Sequence, residues 1–231
     1  MWHRHAKLLI GVIILAVLLV AADRISVAVA ENQISDRLTS AYGLAGKPGV
    51  TIAGFPFLTQ VVAGDYPQID VSASQVSAGG AELHDLNVRL TGVHATVSQV
   101  LGNGSSMVTA DRAAGSAMVG FGTVDHRLPG GFRAHPDGKD LSVSGNLTIA
   151  GALVPVSATV ALSVSGAGIS VTPVHVSVPG VAALPSAYSS QLHVVVPLST
   201  LPLHLRLTSV HVTPGGLRIG AAARHVQFAR E

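Results

Sequence analysis

Hydrophobic and polar positions alternate along most of the chain after residue 49. Ile69, Val71 and Ala73 interleave with Gln68, Asp70, Ser72 and Ser74. Leu86, Val88 and Leu90 interleave with Asn87, Arg89 and Thr91. Leu141, Val143, Leu147 and Ile149 do the same with Ser142, Ser144, Asn146 and Thr148. Val154, Val156, Ala158, Val160, Leu162 and Val164 form one apolar line opposite Ser157, Thr159 and Ser163. A period of two predicts strands with one apolar and one polar face. The polar face is mostly Ser and Thr rather than charge. Two segments change phase midway. Ile169 and Val171 give way to Val174, Val176 and Val178 across Pro173, and Leu203, Leu205 and Leu207 give way to Val210 and Val212 across Thr208-Ser209. A phase change without a turn predicts a bulge that bends the strand. Long, bent antiparallel strands predict one strongly curled sheet. Thr213-Pro214-Gly215-Gly216 predicts a hairpin turn.

The N-terminal pattern is different. Residues 8–22 form a 15-residue run without charge, broken only by Gly11 and preceded by Arg4 and Lys7. The run is shorter than the roughly 20 residues of a comfortable membrane span and fits the apolar core of a secretory signal. Small-residue sites follow at Val20-Ala21-Ala22 and at Ala28-Val29-Ala30. A cleaved signal and a retained anchor both fit. No cysteine follows the run, which excludes lipoprotein processing. From Asp23 to Tyr42 the apolar residues Ile25, Ala28, Val29, Ile34, Leu38, Ala41 and Tyr42 recur at helical spacing, with Gly43 as a stop. This predicts an amphipathic helix, packed on its own domain or lying on a membrane surface. In Gly54-Phe55-Pro56-Phe57-Leu58-Thr59-Gln60-Val61-Val62-Ala63-Gly64, Pro56 starts a short helix with Leu58, Val61 and Val62 on one face and Gly64 as its end. Residues 181–190 offer a second short helix, broken by Pro185. The predicted class is α+β: a long, strongly curled antiparallel β-sheet wrapped around an N-terminal helix, in one domain.

Composition narrows the chemistry. Of 231 residues, 48% are hydrophobic and 11% charged, which argues against disorder. The net charge of +2 comes from Arg4 and Lys7 alone, because basic and acidic residues balance from Asp23 onward. The chain therefore shows no electrostatic footprint for nucleic acid. The absence of cysteine excludes disulfides, thiolate metal sites and thiol nucleophiles. Nucleophile-elbow, zincin, Walker and dinucleotide-binding motifs are all missing. Gly102-Asn103-Gly104-Ser105-Ser106 lacks the lysine of a phosphate loop and reads as a turn. The histidines are scattered singly without metal-ligand spacing, and no pair among the scattered Asp and Glu residues singles itself out for catalysis. No catalytic residue, metal or cofactor is expected. Asn103-Gly104-Ser105 and Asn146-Leu147-Thr148 match the glycosylation sequon, which matters only in a eukaryotic secretory pathway.

The segment Gly54-Phe55-Pro56-Phe57-Leu58-Thr59-Gln60-Val61, with Ala63-Gly64 and Ile69-Asp70-Val71, resembles the LmeA-like phospholipid-binding family of actinobacterial envelope proteins. So do the tail from Leu203 to Leu217 and the signal run into Ala21-Ala22-Asp23-Arg24. The resemblance spans roughly the whole chain, and its first segment is the most specific. It departs between Gly120 and Asp140, where this chain is rich in Gly, Pro and His. The resemblance implies a phospholipid partner, a TULIP-like fold, and an extracytoplasmic protein that is secreted or N-terminally anchored. It carries over no catalytic residues. Residues 1–22 would then be the signal or anchor and residues 23–231 the lipid-binding domain.

The residues alone fit that picture. Strands rich in Val and Leu around one helix can enclose an apolar groove, and acyl chains need only apolar area, at about 0.8 kcal/mol per buried methylene. Candidate lipid contacts are Phe55, Phe57, Leu58, Val61, Val62, Ile34 and Leu38, for which plain core packing is the competing reading. Candidate headgroup donors are Arg89, Arg112 and Arg206, with solvated surface arginine as the alternative. Two other function classes remain open: an envelope scaffold that binds another protein through a sheet edge or the Phe-Pro-Phe segment, and an enzyme acting on lipid or glycan. An exposed apolar patch over a filled core would favour the scaffold. Converging carboxylates or a Ser–His pair in a cleft would favour the enzyme.

Overall fold

The structure, a computed structural model, describes residues 2–44, 46–78, 81–96, 108–126, 128, 131–149, 152–165, 168–177, 194–197 and 205–228. The apolar run and the periodic segment after it form one helix, α1 (Trp2–Tyr42). No Gly or Pro interrupts residues 12–42, so nothing local stops propagation. Gly43 ends it at φ +57°, and the Leu44 N–H returns to the Thr39 carbonyl at 3.2 Å.

The remaining order is β1 (Gly49–Ala53), α2 (Phe57–Ala63), β2 (Asp65–Ala78), β3 (Ala81–His94), β4 (Val108–Gly120), α3 (Phe121–Asp125), β5 (Arg133–Asp137), β6 (Asp140–Ile149), β7 (Ala152–Ser165), β8 (Gly168–Ser177), β9 (Val194–Pro197), β10 (Arg206–Thr213) and β11 (Gly216–Phe228). The α+β class holds. The single curled sheet does not: the strands form a six-stranded sheet, β1-β2-β3-β4-β11-β10, and a five-stranded sheet, β5-β6-β7-β8-β9, neither strongly curled. Both bulges inferred from phase changes are present. Val174 is skipped between the pairs Thr159–His175 and Val160–Pro173, and Thr208 is skipped between Leu207–Ala221 and Ser209–Gly220. A bulge re-aims one strand locally, and the two bulges fall in different sheets, so they do not add up to one continuous curl. The β10–β11 hairpin turns at Pro214-Gly215, closed by the pair Thr213–Gly216 and by the Thr213 hydroxyl donating to the Gly216 carbonyl at 2.7 Å. Glycine is required at 216, where a Cβ would collide with the Val119 carbonyl.

The chain divides into two compact units. The first comprises Met1–Ser72, Arg89–Arg112 and Arg224–Glu231; the second comprises Ala73–Val88 and Ala113–Ala223. In the first, Val27 of α1 joins Ile52, Phe57, Tyr66, Val93, Ala95 and Ala110 in a core, with the Phe57 and Tyr66 rings 6.3 Å apart and tilted. In the second, Ala134, Leu141, Val160 and Leu217 form the core, and Phe121, Val124 and Leu128 pack against it. The Gly- and Pro-rich stretch after Gly120 is thus partly ordered into α3 and β5. The Asp125 carboxylate accepts the Ala134 N–H at 2.7 Å and ties the two together. The helix expected over residues 181–190 and the turn expected over residues 102–106 lie outside the described residues.

Helix α1 turns a different face to the core than its periodicity suggested. Val27, Ile34 and Ala30 pack inward, together with Asp23 and Ser35, both buried. Ile25, Val29 and Tyr42 are exposed. Both stripes satisfy a spacing of three and four. The polar stripe wins because each of its groups finds a partner. The Ser35 hydroxyl donates to the Pro48 carbonyl at 2.5 Å, and the Glu31 carboxylate accepts the Ile52 N–H at 2.8 Å.

Candidate functional site

The Gly-Phe-Pro-Phe-Leu-Thr-Gln segment builds a small helix whose two faces have different environments. Gly54 takes φ +104°, and a Cβ there would meet the Gln60 amide at 2.5 Å, so glycine serves both the backbone and the packing. The Phe55–Pro56 bond is cis, Pro56 stands at the N-cap, and Gly64 closes α2 at φ +74°. The Gly64 carbonyl then accepts the Ala95 N–H at 2.9 Å. Pro56 and Gly64 therefore bound the helix as the sequence suggested. Phe57 and Gln60 form the buried face, with Val61 half-buried, so Leu58, Val61 and Val62 do not share one environment. Leu58 is 40% exposed and Val62 88% exposed.

The seven candidate lipid contacts therefore separate. Phe57 lies in the core, while Val61 and Ile34 pack against it. Leu38 is half-buried. Phe55, at 61% exposure, faces solvent together with Leu58 and Val62. These three are an apolar patch on one short segment.

Asp23 holds that segment to α1. Its carboxylate, 2% exposed as a residue, accepts the Leu58 N–H at 2.9 Å on one oxygen and an Arg24 guanidinium N–H at 2.5 Å on the other. The same Arg24 guanidinium lies 5.1 Å from the centre of the Phe55 ring. The apolar periodicity of this helix does not include Asp23. Its role depends on a residue 35 positions away, and no local pattern announces that. Gln60 was likewise missed.

The candidate headgroup arginines are not equivalent. Arg89 on β3 bonds Asp70 on β2 at 2.7 Å. That bond holds the Asp70 carboxyl below its usual range and raises the Arg89 guanidinium. Arg112 and Arg206 are exposed, the former in the first unit and the latter in the second. A second polar cluster in the first unit joins His94 to Asp65 at 2.5 Å and to Asp111 at 3.8 Å. In the second unit an open depression of about 410 Å³ is lined by Arg133, Ser144, Asn146, Val156, Ser157 and Ser177 among others. None of the seven candidate lipid contacts lines it. Among the described residues, no group of three or more Asp, Glu or His is placed to hold a metal ion.

Along α1, the large apolar side chains of residues 8–20 are 45–68% exposed. Large exposed apolar side chains thus run along the N-terminal helix, and Phe55, Leu58 and Val62 add exposed apolar area on the segment that Asp23 ties to it. The model of the LmeA-like phospholipid-binding family matches residues 21–222, and the chain belongs to that family. No match to the chain was found among curated proteins or among solved structures. The family match begins at Ala21, at the end of the apolar run.

Proposed function

We propose that this protein is a non-enzymatic phospholipid-binding protein of the bacterial cell envelope. The family match over nearly the whole folded part of the chain carries the reading. In this proposal α1 directs the chain across the inner membrane and stays as its anchor, with the basic Arg4 and Lys7 on the cytoplasmic side. The exposed apolar side chains of residues 8–20 support it, because water leaves so much apolar surface unsatisfied.

The acyl chains are proposed to lie in an apolar groove lined by the Val- and Leu-rich strand faces, in a TULIP-like manner. The alternation on β7 supports this, with Val154, Val156, Leu162 and Val164 half-buried on one face and Leu153, Ser157 and Ser163 exposed on the other. Arg112 and Arg206 are the proposed headgroup donors. Arg89 is a weaker candidate because Asp70 already neutralises it. The protein would support lipid or lipoglycan assembly in the envelope by holding phospholipid rather than by transforming it.

The test is mass spectrometry of lipids extracted from the chain beginning at Asp23, purified without detergent from a bacterial periplasm. A stoichiometric phospholipid is the expected result. A lipid-free, monodisperse protein that also fails to take up labelled phospholipid would overturn the reading and move the weight to a protein partner.

A further inference from the structure

The apolar run of α1 is short for a membrane anchor, and the fold supplies what it lacks. At 1.5 Å per residue its 15 residues span about 22 Å, against about 30 Å of hydrocarbon. Closing that gap takes about five more residues of helix, which draws residues 23–27 to the hydrocarbon edge. In a bare helix this stretch would resist, because it carries Asp23, Arg24 and Ser26.

In this protein each of the three is already provided for. Asp23 is buried, and both of its oxygens are hydrogen-bonded. Ser26 donates to the Ala22 carbonyl at 2.8 Å. Arg24 is long enough to snorkel toward headgroups while its guanidinium rests over the Phe55 ring. Ile25, between them, is exposed and apolar. The element that buries Asp23 is α2, and α2 turns Leu58 and Val62 outward beside Phe55.

We propose that α2 is an interfacial membrane-docking element. Phe55, Leu58 and Val62 sit at the headgroup–acyl boundary of a phospholipid bilayer beside the end of α1, so that the folded domain completes its own anchor. The proposal rests on the anchored reading of α1 given above. The continuity of the patch with the apolar helix selects a lipid surface as its occupant: one carboxylate, Asp23, joins the last turn of the run to the first turn of α2.

The chain has no cysteine, so Leu58→Cys, Val62→Cys and Ser40→Cys each place one spin label in otherwise unaltered full-length protein. Ser40 is exposed on α1, about 25 Å further along the helix than Asp23. In vesicles of equimolar phosphatidylcholine and phosphatidylglycerol, labels at 58 and 62 should favour collisions with dissolved oxygen over a water-soluble nickel chelate. The preference should exceed that of the Ser40 label several-fold. Val62→Asp should return the Leu58 label to the Ser40 value, while leaving thermal unfolding in detergent unchanged because Val62 is 88% exposed. Labels at 58 and 62 that match Ser40 would overturn the proposal. So would labels shielded from both reagents, which would mean a protein covers the patch. Lipid extraction from the chain beginning at Asp23 reads carriage and not docking. Stoichiometric lipid with aqueous labels would therefore sink this proposal alone, and immersed labels on a lipid-free protein would sink the carrier reading alone.

Discussion

His94 occupies an exposed position at the end of β3, yet two carboxylates face it, Asp65 at 2.5 Å and Asp111 at 3.8 Å. The Asp65 hydrogen bond is the main reason its imidazole pKa is raised; desolvation opposes the shift, and the charges of Asp65 and Asp111 add to it. A raised value means that the folded chain binds this proton more tightly than the unfolded chain. The resulting stabilisation is full below the unfolded value of about 6.5 and disappears as pH rises through the folded value. The difference in Tm between the natural chain and His94→Ala should therefore be largest below the unfolded value of about 6.5 and should shrink as pH rises above it. It should be small throughout, since both partners are solvated. A difference that stayed constant with pH would show that packing rather than charge sets it. Gly54 tells a related story at the same scale. The motif glycine is legible as a turn residue, but the Gln60 amide lying against it is not. A contact across six residues of turn and helix leaves no periodic trace.

At the scale of elements, the hairpin at Pro214-Gly215, the limits of α2 and both bulges could be read from the sequence, because each is set by a local turn residue or a parity change. The inward stripes of α1 and α2 could not. Hydrophobic periodicity favoured Ile25 and Val29, but the fold buries Asp23 and Ser35 because the open N–H of Leu58 and the carbonyl of Pro48 need them. A third parity change went unread: Leu90 is even and half-buried, Val93 is odd and buried, and Gly92 lies between them at φ +60°. The inward stripe of α1 also bears on processing. Of the two small-residue sites, cleavage after Ala22 keeps Asp23 and Val27, whereas cleavage after Ala30 removes the carboxylate that holds α2 and a buried valine of the core. Burial of a valine side chain contributes about 1.5–3 kcal/mol. A chain beginning at Asp23 should thus unfold cooperatively, and one beginning at Glu31 should melt several degrees lower or lose its cooperative transition. Equal thermal unfolding of the two would mean that the Val27 and Asp23 contacts do not hold the unit together.

For the whole molecule, the class and the family were legible, and the sheet arrangement was not. Alternation fixes which residues share a face, but it is silent on which strands pair across long connections, so strands read as one curl separate, among the described residues, into two sheets. Charge gives the molecule-wide argument about binding. From Asp23 onward acidic and basic residues cancel, and three of the described cations, Arg24, Lys47 and Arg89, are already matched to Asp23, Asp36 and Asp70. A molecule of this kind has little long-range field with which to attract an anionic membrane. Its free energy of lipid binding must come mostly from apolar area, which salt does not screen. Uptake of labelled phosphatidylglycerol by the chain from Asp23 should accordingly change by less than about threefold between 0.05 and 0.5 M salt, a range over which the Debye length falls from roughly 14 to 4 Å. Phosphatidylcholine should be taken up comparably. A steep loss of phosphatidylglycerol uptake with salt, and not of phosphatidylcholine uptake, would show instead that exposed cations such as Arg112 and Arg206 dominate recognition. The headgroup rather than the acyl chain would then be the feature this fold selects.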